Sequence, residues 1–362
     1  MLSAQAVADD LGLGAEYAPW LAQLDTVGDA GDTGDSAGSG DPGYARAPGP
    51  RAEAALPDSP GPNGHAREFL ARAGVSADDA AAVIATRPDL DRSPALRWLL
   101  GRCSAFILKG IGDAAAPQVL LPQLPAALGT VGRCFPAHLF LATAPATLEW
   151  QRRRGIPVAA SWAIFADLGR QMAIYRDVNR VPGVEEAWWL MLHLRGLIYE
   201  FGRLQFNLVS LGGGSLPPGN WYGEADRMGT GFRTGDDALG MHIPETGPLT
   251  PAACDESLDA ARAFFDRYFP SPTRRVATCE SWLLDDQLAG YLPAWSNIVR
   301  FQRRFTLTPT WSSADKDVAQ FVFQRAEGDL AGVPQRTALQ RAIVAHLDSG
   351  RHWRLRCGWL KL

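Results

Sequence analysis

The stretch DALGMHIPETGPLTPAACDESLDAARAFFDRYFPSPTRRVATCESWLLD, residues 237–285, decides how the chain folds. It opens on a short strand pattern, Asp237 to Pro244, and turns through ETGPLT into a helix predicted from Pro251 to about Phe269. Thr250 is a good N-cap, and Pro251 falls at the first helical position, where a missing N–H costs nothing. RVATCESWLLD reads as a second strand, DDQLAGYL as a short helix opened by Asp285, and NIVRFQRRFTL, residues 297–307, as a third strand. Strands and helices alternating through short connections imply a parallel pair joined by a crossover. A ligand then belongs at the carboxyl ends of those strands, near the helix start whose N–H groups attract anions.

Upstream, a helix is expected from about Val158 to Tyr175 and a second from Val184 to Phe201, stopped by Gly202. RLQFNLVSL, residues 203–211, alternates as a strand. LGGGSLPPGNWYG is a long connection, and EADRMGTGF reads as a strand joined to DALGMHIP through the turn signal TGDD. Residues 1–150 are predicted helical. Leu2 to Leu24 is an amphipathic helix pair; HAREFLARAG closes at Gly74; SADDAAAVIATR starts at the cap Ser76 and ends before Pro88; SPALRWLLGRCSAFILKGI starts at Ser93-Pro94. Between them, residues 25–66 hold 9 Gly and 6 Pro among 42 residues. That share exceeds the roughly 25–30% that marks non-periodic disordered segments, so a flexible insertion is expected there.

The 362 residues carry 35 Lys+Arg against 39 Asp+Glu, a net charge of −4. Seven of the acids and only two of the bases lie in residues 25–66, which leaves the remainder nearly neutral. Neither part has the clustered cationic surplus that drives counterion release from nucleic acid. No apolar run reaches the length of a membrane span, and acids stand where a signal peptide would begin with bases; a cytoplasmic protein is expected. Five scattered cysteines and six scattered histidines show no metal-ligand spacing, so no metal is expected.

Several of these segments resemble a known family. GMHIPETGPLTPAACDESLDAARAFFDRYFP, CESWLLDDQLAGYLPAWSNIVRFQRRF and GLIYEFGRLQFNL, with the tail HWRLRCGWLKL, are similar to the actinobacterial acyltransferase domain-containing proteins. These pair a helical N-acyltransferase N-terminal domain with a GNAT-like C-terminal domain. The resemblance implies an α+β chain: a helical domain over residues 1–150 and a GNAT-like mixed sheet flanked by helices over 151–362. It implies transfer of an acyl group from a thioester to an amine by direct attack in a ternary complex. The donor is acyl-CoA or a phosphopantetheinyl acyl carrier protein, and the acceptor an amine-bearing small molecule or peptide, with natural-product tailoring as a natural setting. The competing class is a GNAT-like protein that binds such a partner without turnover.

The resemblance also places the site. The strand ending in His242, Ile243 and Pro244 matches the GNAT strand that separates from its neighbour to admit the pantetheine arm, and Glu245 to Thr250 matches the phosphate-binding turn. Donor contacts are thereby implied at Ile243, Gly247, Leu249, Thr250 and Asn297. The turn departs from the family pattern. It keeps only Gly247, adds Pro248 and carries the acid Glu245, a poorer cradle for a pyrophosphate. His242 is the first candidate base, because an imidazole titrates near working pH; a half-buried strand histidine is its ordinary alternative. Glu280, mid-strand in an apolar run, is the second. Strand alternation puts Cys279 and Ser281 on one face and Glu280 with Thr278 and Trp282 on the other, so only one set can face the cleft. Ser281 is a candidate on the first face, and Cys279 has no adjacent activating group. Tyr291 matches the position of the GNAT tyrosine that protonates the leaving thiolate. The Trp188-Trp189-His193-Tyr199 pattern reads as helix core, and Arg300, Gln302 and Arg304 as one face of a strand.

Overall fold

The computed structural model of the chain describes residues 2–26, 61–117, 121–212, 230–325, 328 and 330–362. It divides into two compact units: Met1–Asp113 with Gln118–Gly196, and Ala114–Pro117 with Leu197–Leu362.

The first unit is helical: α1 (Ala4–Leu11), α2 (Ala18–Asp25), α3 (Gly61–Arg72), α4 (Ala77–Arg92), α5 (Pro94–Lys109), α6 (Gly129–Arg153), α7 (Val158–Asn179) and α8 (Leu190–Leu194). The caps are those the sequence suggests. Ser76 Oγ accepts from Asp79 N, and Ser93 Oγ from Leu96 N with Pro94 in the first turn. Helix α6 packs against both α4 and α5, and its Phe140 meets Phe165 of α7 edge-on at 5.8 Å, both rings fully buried. Helix α4 runs through Pro88 to Arg92, because Leu90 in its last turn is fully buried and anchors it. Helix α3 begins at Gly61, so helical structure starts inside the span 25–66 expected to be a flexible insertion; residues 27–60 of that span lie outside the described residues. The units part after Gly196 rather than after residue 150, because α6 crosses that point and α7 stays with the helices.

The second unit holds β1 (Ile198–Phe201), β2 (Leu204–Ser210), β3 (Asp237–His242), α9 (Pro251–Tyr268), β4 (Val276–Ser281), α10 (Asn297–Gln302), β5 (Thr306–Ser313), α11 (Asp315–Phe323), α12 (Ala338–Asp348) and β6 (Arg354–Lys361). The strands form one sheet in the order β1-β2-β3-β4-β6-β5. The β3/β4 pair is parallel and every other pair antiparallel, the mixed sheet expected. The strand expected at EADRMGTGF falls mostly outside the described residues.

Two expectations fail. The second helix upstream of Gly202 is only the five residues of α8, followed by β1; Gly202, at φ 64°, makes the tight β1–β2 turn instead of ending a helix. NIVRFQRRFTL begins as α10, because Ser296 Oγ accepts from Val299 N as an N-cap; the strand starts only at Thr306. Arg300, Gln302 and Arg304 therefore do not line one face of a strand. Gln302 Nε2 instead donates to the carbonyls of Leu283 and Asp285, both at 2.8 Å, fastening α10 to the end of β4.

One sheet face is closed by aromatics. Phe264, Phe265 and Phe269, from α9 and its C-cap, stack on Tyr199 and Phe201 of β1 with centroids 4.5 to 6.1 Å apart. Burying each such ring is worth about 1.5–3 kcal/mol, so this face fixes α9 and with it the loop entering it.

Candidate active site

The opposite face changes character along the parallel strands. Near their amino ends, Ala238 and Val276 pack with Leu211, Val209, Phe232 and Trp359 in an apolar cluster that Cys357, opposite Glu280, joins from farther along the sheet. Toward their carboxyl ends it becomes polar. Register places Asn207 opposite Gly240, Gln205 opposite His242, and Gly240 beside Thr278. Because side chains alternate, Gln205, Asn207, His242, Thr278 and Glu280 all project from this one face. Gln205 Nε2 donates to Glu200 at 3.0 Å, extending the row onto β1.

The β3/β4 pairing ends at Met241/Cys279, whereas β4 continues with β6 to Ser281/Arg356. Beyond that point β3 and β4 part, with His242 on one lip and Glu280 on the other. Glu280 lies opposite the fully buried Cys357, and burial, reinforced by the charge of Asp317 on α11, pushes its carboxyl up to about 8. It is thus a proton carrier near neutral pH, able to donate when protonated and accept when not.

His242 is half-buried, and its Nε2 lies 2.7 Å from Oδ1 of the fully buried Asn207. Asn207 reaches it across Gly240. A Cβ built at 240 would stand 2.2 Å from Asn207 Oδ1, so only glycine leaves room.

The loop from Ile243 to Thr250 leads into α9. Glu245 to Pro248 are exposed and Leu249 is buried. Thr250 Oγ1 accepts from Ala253 N, Cys254 N bonds to the Thr250 carbonyl, and Pro251 has no N–H. Of the N–H groups in the first helical turn, those of Ala253 and Cys254 are thus taken within the helix and that of Ala252 points out of it. Cationic side chains stand beside it: Arg203 Nη1 donates to the Pro244 carbonyl at 2.7 Å, and Arg304 Nη2 to the Pro251 carbonyl at 3.1 Å.

Other sequence candidates fall elsewhere. Ser281 projects from the face opposite Glu280, and its Oγ caps the short 3-10 turn Trp282–Leu284 by accepting from Leu283 N at 3.1 Å. Cys279 is buried and its thiol is pushed far above the ordinary range by burial, with Glu280 adding to it, which leaves it inert. Tyr291 packs against His346 and Trp353; its hydroxyl lies 3.1 Å from His346 Nδ1 and accepts from Arg351. Asn297 is the first residue of α10. The geometry brings His242 and Glu280 to one face, leaves Ser281 and Tyr291 in other contacts, and sets Asn297 at the start of α10.

Two residues that sequence reasoning passed over matter here. Asn207 and Gly240 carry no motif, and only the β2/β3 register reveals them. In the helical unit, His193 and Asp167 form a second polar cluster. His193 is fully buried, with Nε2 3.2 Å from Asp167 Oδ2, and Asp167 also accepts from Trp189 Nε1 and Arg170 Nε, both at 2.7 Å. Among the described residues no group of three His, Cys, Asp or Glu is placed to hold a metal, and no helix is long and apolar enough to cross a membrane.

A mixed sheet whose parallel pair parts at its carboxyl end, followed by a capped helix, is the frame of a GNAT-like acyltransferase. The chain matches the N-acyltransferase N-terminal domain over residues 64–196 and the GNAT-like C-terminal domain over residues 198–360. It is similar along its whole length to solved acyltransferases. A mutant in complex with octanoyl-CoA is 36% identical, with 100% of both chains covered and a TM-score of 0.80. An acyltransferase in complex with decanoyl-CoA and teicoplanin, and one in complex with CoA and 10C-teicoplanin, are each 37% identical with 100% of both chains covered and a TM-score of 0.79. No curated protein sequence matches the chain. The chain belongs to this family of two-domain N-acyltransferases, and it is an acyltransferase.

Proposed function

We propose that this protein transfers a medium-length acyl chain from acyl-CoA to the amine of a teicoplanin-like acceptor, with His242 as general base and Glu280 as the proton donor to sulfur. The observation that carries the proposal is the pairing of His242 and Glu280 on one sheet face, at the point where β3 and β4 part. Full-length likeness at 36–37% identity to acyltransferases bound to octanoyl-CoA, decanoyl-CoA and teicoplanin supports the choice of donor and acceptor.

The reaction forms a C–N bond and breaks a C–S bond. The acceptor ammonium first sheds one proton; His242 takes the second as nitrogen attacks the thioester carbonyl; the thiolate leaves with the proton of Glu280. Such acid–base assistance is worth about 10²–10⁴-fold in rate. Where β3 and β4 part, the lips of the sheet provide backbone groups for the amides of the pantetheine arm. CoA is favoured over a carrier protein because the complexes of similar chains hold acyl-CoA or CoA.

The test is to incubate the protein with decanoyl-CoA and teicoplanin stripped of its acyl group, following thiol release and the acceptor's mass. Acceptor-dependent release, with a mass gain of one acyl group, is expected. Release without acceptor, or no release with any amine, sinks the reading. Faster transfer from the same acyl group on a phosphopantetheinyl carrier protein overturns the CoA assignment alone.

A further inference from the structure

We infer that Asn207, given room by Gly240, is a positioning residue that fixes the imidazole of His242 in its Nε2–H tautomer, so that Nδ1 is the nitrogen that takes the acceptor's proton. This rests on the proposed role of His242 as base.

The argument begins with the amide. Asn207 Nδ2 donates to the Leu208 carbonyl at 3.0 Å. A flipped amide would set Oδ1 against that carbonyl oxygen, so Oδ1 must face His242. An oxygen 2.7 Å from Nε2 is an acceptor, and Nε2 therefore carries the hydrogen. In the neutral ring the basic lone pair then sits on Nδ1. The tautomer of a catalytic histidine is set by the bond its other nitrogen makes. An amide does this without adding charge, whereas a carboxylate at the same place would hold the imidazolium and raise the pH at which the base becomes active.

Asn207 has no solvent exposure, and it lies on β2 two residues from Gln205, the partner of His242 in register. It reaches the ring only because Gly240, its own cross-strand partner, has no side chain; a Cβ there would also stand 2.8 Å from Val209 Cγ2. Among the described residues, the charged groups on the elements beside His242 include Glu280 on β4 with Asp317 of α11 beside it, Glu200 on β1 through Gln205, Glu245 in the following loop, and Arg203 at the Pro244 carbonyl.

The experiment combines a two-bond ¹H–¹⁵N imidazole spectrum of the wild-type enzyme with kinetics of Asn207→Leu, Asn207→Asp, Gly240→Ala and His242→Ala. The expected spectrum shows His242, assigned by its loss in His242→Ala, as the Nε2–H tautomer above its titration. Asn207→Leu and Gly240→Ala are each expected to lower kcat by about 10–100-fold with KM nearly unchanged, the size of loss seen when the partner that orients a metal-ligating histidine is removed. Asn207→Asp keeps the acceptor, so it is expected to rescue kcat at high pH and to move the acidic limb of the kcat/KM profile upward. A merely structural asparagine would not produce that shift. An Nδ1–H tautomer in the wild type overturns the inference, as does an Asn207→Leu enzyme with full kcat. Full activity in His242→Ala overturns the base assignment and the catalytic purpose of the latch, while the spectrum still decides the tautomer by itself.

Discussion

His193 in the helical unit and His242 in the sheet unit are both held by side-chain oxygen, and the two holders differ. His193 is fully buried, with Nδ1 3.2 Å from the Trp189 carbonyl and Nε2 3.2 Å from Asp167 Oδ2, a close contact out of hydrogen-bond alignment. Asp167 is itself held far below the ordinary carboxylate range: burial opposes this, and His193 and Arg170 outweigh it. His242 is only half-buried, meets a neutral amide at one nitrogen, and shares its sheet face with a carboxyl that titrates near 8. Both nitrogens of His193 face oxygens, which immobilises the ring. At His242 the Nε2 bond is to a neutral amide, which orients the ring without setting a charge against it.

The comparison breaks most directly at His242. His242→Ala is expected to lower kcat by about 10²–10⁴-fold with little change in thermal midpoint. His193→Phe should do the reverse, with turnover per folded molecule retained and stability lost. If His193→Phe abolishes turnover in a fully folded enzyme, the two histidines have exchanged roles. Asp167→Ala is expected to cost about 3 kcal/mol in urea unfolding, because it takes the acceptor from the part-buried Trp189 indole N–H and Arg170 guanidinium and the countercharge from beside His193.

Glu280 gives a pH test of the sheet site. Its folded pKa of about 8 lies above the ordinary glutamate value, so the folded state holds the proton longer than the unfolded chain. The associated stability is complete below about pH 4 and is lost as pH rises toward 8, amounting to roughly 2–4 kcal/mol. Glu280→Gln should match the wild type below about pH 4, exceed it in stability at pH 8, and release thiol more slowly. An unchanged stability–pH curve would place the carboxyl in water. The smallest expected effect is at α9. Thr250→Ala should cost about 1 kcal/mol through loss of the cap bond to Ala253. It also returns one N–H to the helix start, so KM for acyl-CoA should stay level or fall slightly.

Much of this frame was legible from local signals. Thr250-Pro251 marked the start of α9, Ser93-Pro94 that of α5, and alternation placed Glu280 on the face opposite Ser281. The misreadings came from short apolar runs whose periodicity suits either a strand or a helix turn. IYEF continues the apolar pattern of the residues before it yet forms β1, and NIVRF alternates like a strand yet is helical because Ser296 caps it. The site was half visible. His242 and Glu280 announce themselves by residue type, but Asn207 comes from a strand thirty-five residues upstream and Asp317 from a distant helix. Only the register of an antiparallel pair joins the first to its partner, and register cannot be counted across a long connection.

Gly240 offers a diagnostic for reading other members of the family without their structures. It touches no substrate and has no functional group, yet the bond between Asn207 and His242 passes through the space it leaves. A relative that keeps both polar residues but carries any side chain at this position should have lost the latch, and its histidine should have to find another anchor. An alignment column of one glycine thus becomes a yes-or-no marker for how this histidine is held.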